Sequence, residues 1–173
     1  MKEIPLTQGK VALVDDEDYE RVSRYKWFAL KSGKRFYAAR AEILRTRKEV
    51  KKTGLPRQKF ILMHRFIMNP PDGMDVDHQN HDTVDNQKEN LRICTRGQNN
   101  MNQLPERGGG SQFKGVTWDK RRWKWAAQLK YNGKHVFGGY FNDESKAARA
   151  YDVKAKELFG EYAKINFENE ALA

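Results

Sequence analysis

A single cysteine, Cys94, in 173 residues leaves no partner for an internal disulfide and excludes a paired-cysteine zinc ribbon. A reducing compartment is implied. Long apolar runs are missing too: the longest hold four residues, as in Trp27 to Leu30, and the N-terminus carries acids rather than the charged-then-greasy start of an export signal. The expectation is a soluble, cytoplasmic protein with no membrane contact. Hydrophobic residues make up 38% of the chain, enough for one domain or for smaller units with thin cores, and two or three modules are expected. Acid is also in short supply. Against 33 Lys and Arg stand 23 Asp and Glu, a formal net charge of +10 that favours a polyanionic partner, by counterion release if that partner is nucleic acid.

What is present concentrates between Met74 and Asn100. The run Met74 to Asp77 alternates like a strand and ends at adjacent Asp77 and His78, which a strand end points to opposite sides. A loop follows with Asn80, Asp82, Asp85 and Asn86, the composition of Asx-turns. Asn90-Leu91-Arg92-Ile93-Cys94 reads as a return strand, and Thr95 with Gln98 forms a capping box that starts a helix with Asn99 on its first turn. The order strand, loop, strand, helix brings Asp77 and Asn99 together. A carboxylate, an imidazole and several amides make this a candidate active site; the bland alternative is a solvated polar turn with His78 on the surface.

The stretch resembles the HNH nuclease motif, the ββα-metal fold of phage and intron homing endonucleases. The resemblance rests on Asp77-His78, Asp85-Asn86, Asn90-Leu91-Arg92 and Asn99. It implies His78 as general base, Asn90 as the residue that braces the loop, and Asp77 with Asn99 as metal ligands, an H-N-N variant. A carboxylate and an amide oxygen leave most sites of a hard cation to water and phosphate, which suits Mg2+ and leaves room for Mn2+ but not zinc. A histidine of ordinary pKa, about 6.5, can take a proton from attacking water near neutrality.

Upstream, residues 4–14 read as a hairpin turning at Gly9, and the acids Asp15, Asp16, Glu17, Asp18 and Glu20 read as a helix N-terminus in preference to a metal site. Residues 25–30 and 35–40 form a second hairpin. Between Lys31 and Lys59 basic residues dominate, with Arg45, Arg47, Lys48, Lys51 and Lys52 in a stretch broken by Gly54 and Pro56. A mobile loop that drapes on phosphates and a merely solvated loop fit this stretch equally. Lys59 to Met68 is apolar enough for a buried helix or strand, ended by Pro70-Pro71. His64 within it is read as scaffold or phosphate-positioning, and Arg92 is a further phosphate-positioning candidate.

Residues 102–112, with Pro105 and Gly108 to Gly110, form a linker. Beyond it, alternation places Trp123, Trp125, Ala127, Leu129 and Tyr131 on one face of a strand and Lys124, Ala126, Gln128 and Lys130 on the other. Asn132-Gly133 marks a hairpin turn, and 143–159 a helix with Gly160 at its C-cap. This block resembles the AP2 DNA-binding domain through Lys114-Gly115-Val116, Lys124-Trp125-Ala126-Ala127, Gly139-Tyr140-Phe141, Ala147 to Asp152 and Lys164 to Phe167. The resemblance implies a sheet in the major groove, with Thr117, Trp118, Arg121, Lys124, Gln128, Lys130, His135 and Phe137 as readers. Thr117, His135 and Phe137 replace the Arg or Trp usual in plant members, so a GC-box preference does not carry over.

The fold class expected is therefore α+β: an N-terminal β module with a basic loop (1–58), a ββα-metal HNH nuclease (59–104), a linker (105–112) and an AP2-like three-stranded antiparallel sheet on one helix (113–168). The resemblances imply a phage- or mobile-element-borne homing endonuclease acting on double-stranded DNA, with Mg2+ or Mn2+ and no obligate protein partner. The rival is a non-catalytic DNA-binding regulator that keeps a decayed nuclease fold.

Overall fold

The computed structural model describes residues 1–104, 110–131 and 133–167, a mixed α+β arrangement of small sheets and five α-helices. The chain divides into two compact units, Met1–Arg96 and Gly97–Ala173.

The first unit opens with a hairpin of β1 (Lys2–Pro5) and β2 (Val11–Val14), turned through the left-handed residues Gln8 and Gly9. Helix α1 (Asp16–Ser23) follows, with Asp16, Glu17 and Asp18 in its first turn, where carboxylates favour the positive end of the helix dipole. Strands β3 (Phe28–Ser32) and β4 (Arg35–Ile43) form the expected second hairpin, but a third strand, β5 (Gln58–Leu62), completes an antiparallel sheet in the order β3-β4-β5. Between β4 and β5 the basic stretch is not a loop. It forms α2 (Arg47–Thr53), capped reciprocally by Thr46 and Glu49 and closed by left-handed Gly54. The Thr46-x-x-Glu49 spacing is a capping-box signal in the sequence, ahead of the break at Gly54 and Pro56.

The apolar run splits into β5 and α3 (Met63–Met68), which ends at left-handed Asn69 before the two prolines. Then come β6 (Asp75–His78), a 3-10 turn at Lys88–Asn90, β7 (Leu91–Cys94) and α4 (Arg96–Met101). One core serves the whole first unit: Ile4, Ala12, Val14, Val22, Trp27 and Ala38 pack with Met63, Ile67, Val76 and Leu91. The expected boundary at 58/59 thus falls inside β5 and inside a shared core. Two- and three-stranded sheets this short bury too little apolar surface to stand alone, so they pool their inner faces.

In the second unit β8 (Val116–Asp119), β9 (Lys124–Tyr131) and β10 (Lys134–Phe141) pair antiparallel in the order β10-β9-β8. Helix α5 (Glu144–Phe159), N-capped by Asp143, lays Ala147, Ala148, Tyr151, Ala155 and Phe159 on Val116, Ala127 and Leu129. Most of the expected linker, residues 105–109, lies outside the described residues, as do Asn132 of the hairpin turn and residue 168. Gly115 explains its place in the sequence: at φ +72, a Cβ there would stand 2.0 Å from the Tyr151 ring and 2.8 Å from the Gln128 carbonyl. Gly115→Ala is expected to cost about 2–5 kcal/mol through overpacking and left-handed strain. Calorimetry should show the second unit melting earlier with the first unit's transition in place; a variant that melts like wild type contradicts the account.

Candidate active site and nucleic-acid interface

His78 ends β6 and lies opposite Leu91 of β7, with Asp77 opposite Arg92. Both side chains of the Asp-His pair are buried, not exposed on a solvated turn. Arg92, a phosphate-positioning candidate in the sequence, donates from Nε (3.0 Å) and a terminal nitrogen (2.8 Å) to Asp77 Oδ2. Asn86 gives its Nδ2 to the Val84 carbonyl (2.9 Å) and turns Oδ1 to His78 Nε2 at 3.4 Å. That orientation suits an Nε2–H tautomer with the lone pair on Nδ1. The sequence places Asn86 in the Asx-rich loop and in the Asp85-Asn86 pair of the HNH resemblance, but its contact with His78 is not legible from spacing.

Asn90 ties the loop at both ends: its Oδ1 accepts from Asn80 N (2.9 Å), its Nδ2 donates to the Asp85 carbonyl (2.8 Å), and its carbonyl accepts from Gln79 N (2.9 Å). The His78 ring meets His64 edge-on, centroids 4.9 Å apart, and Tyr37 packs on both imidazoles at 5.8 and 6.3 Å. His64 is buried on α3, and its Nδ1 has no hydrogen-bond partner among the described residues. A packed scaffold residue fits it. Burial pushes His64 down to about 3, helped by the neighbouring His78 and Arg65. Burial also lowers His78, opposed by its bond to Asn86 and by Asp77, Asp85 and Asp82. His78 is therefore neutral, and so able to accept a proton, at physiological pH. Burial raises the Cys94 thiol to about 11, which removes it as a nucleophile.

In the second unit the sheet register sorts the expected readers. Thr117 faces Ala126, Lys124 faces Asp119, Lys130 faces His135 and Gln128 faces Phe137, so Thr117, Lys124, Gln128, Lys130, His135 and Phe137 share the face away from α5. Trp118 pairs with Trp125 on the helix side, at the sheet edge and 36% exposed, which removes it from that set. Arg121 sits in the β8–β9 turn, where Asp119 accepts from its backbone N–H. Trp123, expected to pack, is 77% exposed at φ 54. Alternation holds only from Lys124, where the strand begins, and Trp123 belongs to the turn. Tyr140, which sequence reasoning did not single out as a reader, joins the free face through its pairing with Ala126 and packs tilted against Phe137, ring centroids 4.6 Å apart.

Residues 69–101 match the family model described as HNH endonuclease. Over 171 residues, 92% of this chain and 76% of the other, the sequence is 29% identical to an uncharacterized HNH endonuclease of Acanthamoeba polyphaga mimivirus. It is 41% identical over 61 residues to the AP2-like ethylene-responsive transcription factor TOE2 of Arabidopsis thaliana, a match to 35% of this chain and 13% of that protein. The APETALA2-like protein 2 of rice, Oryza sativa, matches to the same extent, across 14% of its length. The HNH match spans β6, the loop, β7 and α4, and at family level it supports nuclease activity on DNA.

Among the described residues no group of three or more His, Cys, Asp or Glu stands close enough together to hold a metal ion. Asp77 and Asn99, the expected ligands, each carry a hard oxygen donor. Asn99 lies on α4, in the part of the chain assigned to the second unit. No helix among the described residues is long and apolar enough to cross a membrane.

The buried histidines set a pH dependence. Unfolded, His64 takes up a proton near 6.5; folded, it resists until about 3. Stability present above 6.5 is therefore lost as pH falls through that window, by up to about 1.4 kcal/mol per pH unit for one such site. Urea unfolding of wild type and His64→Phe between about pH 6.5 and pH 5, above the ordinary carboxylate range, should show a shallower acid slope in the variant. Parallel slopes would place the lost protons elsewhere.

Proposed function

We propose that this chain is a DNA endonuclease of the homing type, hydrolysing phosphodiester bonds at the HNH stretch and choosing its site with an AP2-like sheet. The observation that carries the reading is the setting of His78: a neutral imidazole beside Asp77, oriented by Asn86, at the mouth of a loop that Asn90 ties shut. His78 takes a proton from the attacking water, and the scissile bond opens to a 5′-phosphate and a 3′-hydroxyl. Asn86 fixes the tautomer, and Arg92 fixes the Asp77 carboxylate. Asp77 and Asn99 would hold Mg2+, with Mn2+ a substitute, and the bound cation supplies charge neutralisation at the phosphate and the leaving oxygen. On the second unit, Thr117, Lys124, Gln128, Lys130, His135 and Phe137 read double-stranded DNA in the major groove, and Arg121 contacts phosphate from the turn.

A second reading, a DNA-binding regulator with a decayed nuclease fold, draws on the engagement of Asp77 by Arg92, which places a cation where a metal ligand is needed. Cleavage decides between them. With Mg2+ the wild type should cut duplex DNA and with chelator it should not, while His78→Ala loses about a hundredfold or more in rate and keeps its DNA affinity. An active His78→Ala variant overturns the general-base assignment; a wild type inert with Mg2+ and Mn2+ favours the regulator.

Binding tests the sheet. Arg121→Ala should weaken affinity evenly across sequences and reduce the salt slope by about one, whereas Gln128→Ala should relax preference at one base pair at a cost of about 1–3 kcal/mol. Site selection mapped by sequencing bound fragments checks both, and an unaltered preference in Gln128→Ala removes that residue from the reading set.

A further inference from the structure

Half of the chain's net charge sits in a segment that adds no buried side chain to the core. Between residues 45 and 57, six cations (Arg45, Arg47, Lys48, Lys51, Lys52, Arg57) face one acid, Glu49, a net +5 against +10 for the whole chain. Glu49 is consumed in the cap of α2, where its carboxylate accepts from Thr46 N at 2.7 Å. The next acid outside, Glu42, is bound by Lys59 at 2.8 Å. Among the described residues none of the six cations pairs with a carboxylate, and only Arg45 makes a hydrogen bond through its guanidinium, to the Pro56 carbonyl. No residue of α2 is buried.

Such a helix is costly to form. Seven residues are too few for a stable isolated helix, and Arg47 with Lys51, and Lys48 with Lys52, are like charges one turn apart. Yet this one is built with care: a reciprocal capping box, a Thr53 hydroxyl bonded to the Glu49 carbonyl, and a left-handed glycine stop. It is carried on the paired strands β4 and β5, whose end is closed by Leu44 N and Arg45 N donating to the Arg57 carbonyl. Folding gains nothing from the charge. A polyanion does, because four cations on one and a half turns span about 6–8 Å, the reach of two to three successive phosphates along a DNA strand. Exposed Ile43, Leu44 and Leu55 at its base offer apolar contact to sugars.

We infer that α2 and its flanks form a phosphate-gripping arm, a DNA contact on the first unit separate from the base-reading sheet and from His78. This rests on the reading of the chain as a DNA-binding nuclease. The arm holds backbone without regard to sequence, so it contributes affinity and not site choice.

The test uses the full chain with Arg47, Lys48, Lys51 and Lys52 all changed to Gln, titrated with a fluorescent duplex across about 50 to 200 mM salt. Each lost phosphate contact removes about 0.9 from the slope of log affinity against log salt, so the slope should fall by about 2–4 and affinity at low salt by more than tenfold. Melting should not fall below the wild-type value, since nothing buried has changed and two like-charge pairs are removed. Lys48→Arg, Lys51→Arg and Lys52→Arg together should keep the wild-type slope. If wild type binds DNA and the Gln variant shows the same slope and affinity, the arm is not a DNA contact and the inference falls alone. Loss of binding to phosphatidylserine vesicles with an unchanged DNA slope would give the arm to a membrane surface and overturn it as well. A wild type that binds no duplex overturns the proposed function along with the arm.

Discussion

Everything at the candidate site hangs on how a loop without regular structure is held still. Residues 79–87 cross from the end of β6 to the turn before β7, and their backbone groups have no helix or sheet of their own to satisfy them. Side chains do much of that work: Asn80 Oδ1 accepts from Asp82 N, Asp82 Oδ1 from Val84 N and Asp85 Oδ1 from Gln87 N. The rest is borrowed from neighbours. Leu13 of β2 exchanges hydrogen bonds with Val84 and Asn86, Thr83 reaches the Phe36 carbonyl of β4 at 2.7 Å, and Asp15 takes Lys88 N at 2.8 Å. Asn86 can orient His78 only because its own backbone is fastened to the first hairpin.

This fastening changes what the N-terminal segments are for. The acids after β2 do favour the start of α1, yet Asp15 also fastens the loop, and Asp18 and Glu17 hold Lys88. The first hairpin and α1 are structural parts of the site, which is why no boundary can be drawn between a β module and a nuclease. Tyr37 makes the same point from β4, since it packs on His64 and His78 alike. The cost is burial. A histidine lowered by desolvation is a weaker base than one in water, but it is neutral throughout the physiological range and held in one orientation.

The second unit solves a different problem with few parts. Asp152, buried on α5, accepts from Asn166 N, Asn166 Nδ2 and Phe167 N, and Asn166 in turn pairs with both backbone groups of Lys114. The segment after the helix is thereby stapled to the strand entry, so that a thin core of alanines under one sheet is closed at its edge. With the helix covering one face, the other is left to a row of polar and aromatic side chains. Lys114 is drawn inward to the Met101 and Gln103 carbonyls, and burial lowers it to about 8.

Sequence alone determined the features that depend on neighbours in the chain. The hairpin turn at Gly9, the acid-rich start of α1, the Asp143-to-Gly160 helix and the basic charge all follow from spacing, capping chemistry and composition, whereas the Asn90 brace was implied by the HNH resemblance. Alternation likewise found the two faces of β9, and erred at Trp123 because a period-two pattern does not say where a strand begins. Tertiary structure decided the rest. The pairing of β5 with β4, the shared core across the first unit, the edge-on contact of His64 with His78, the turning of Asn86 toward the imidazole and the capture of Arg92 by Asp77 all join residues whose distance in sequence carries no period. Local propensity is written residue by residue, whereas burial and ion pairing are settled only when separate segments compete for the same interior, and that competition set both the basicity of His78 and the partner of Asp77.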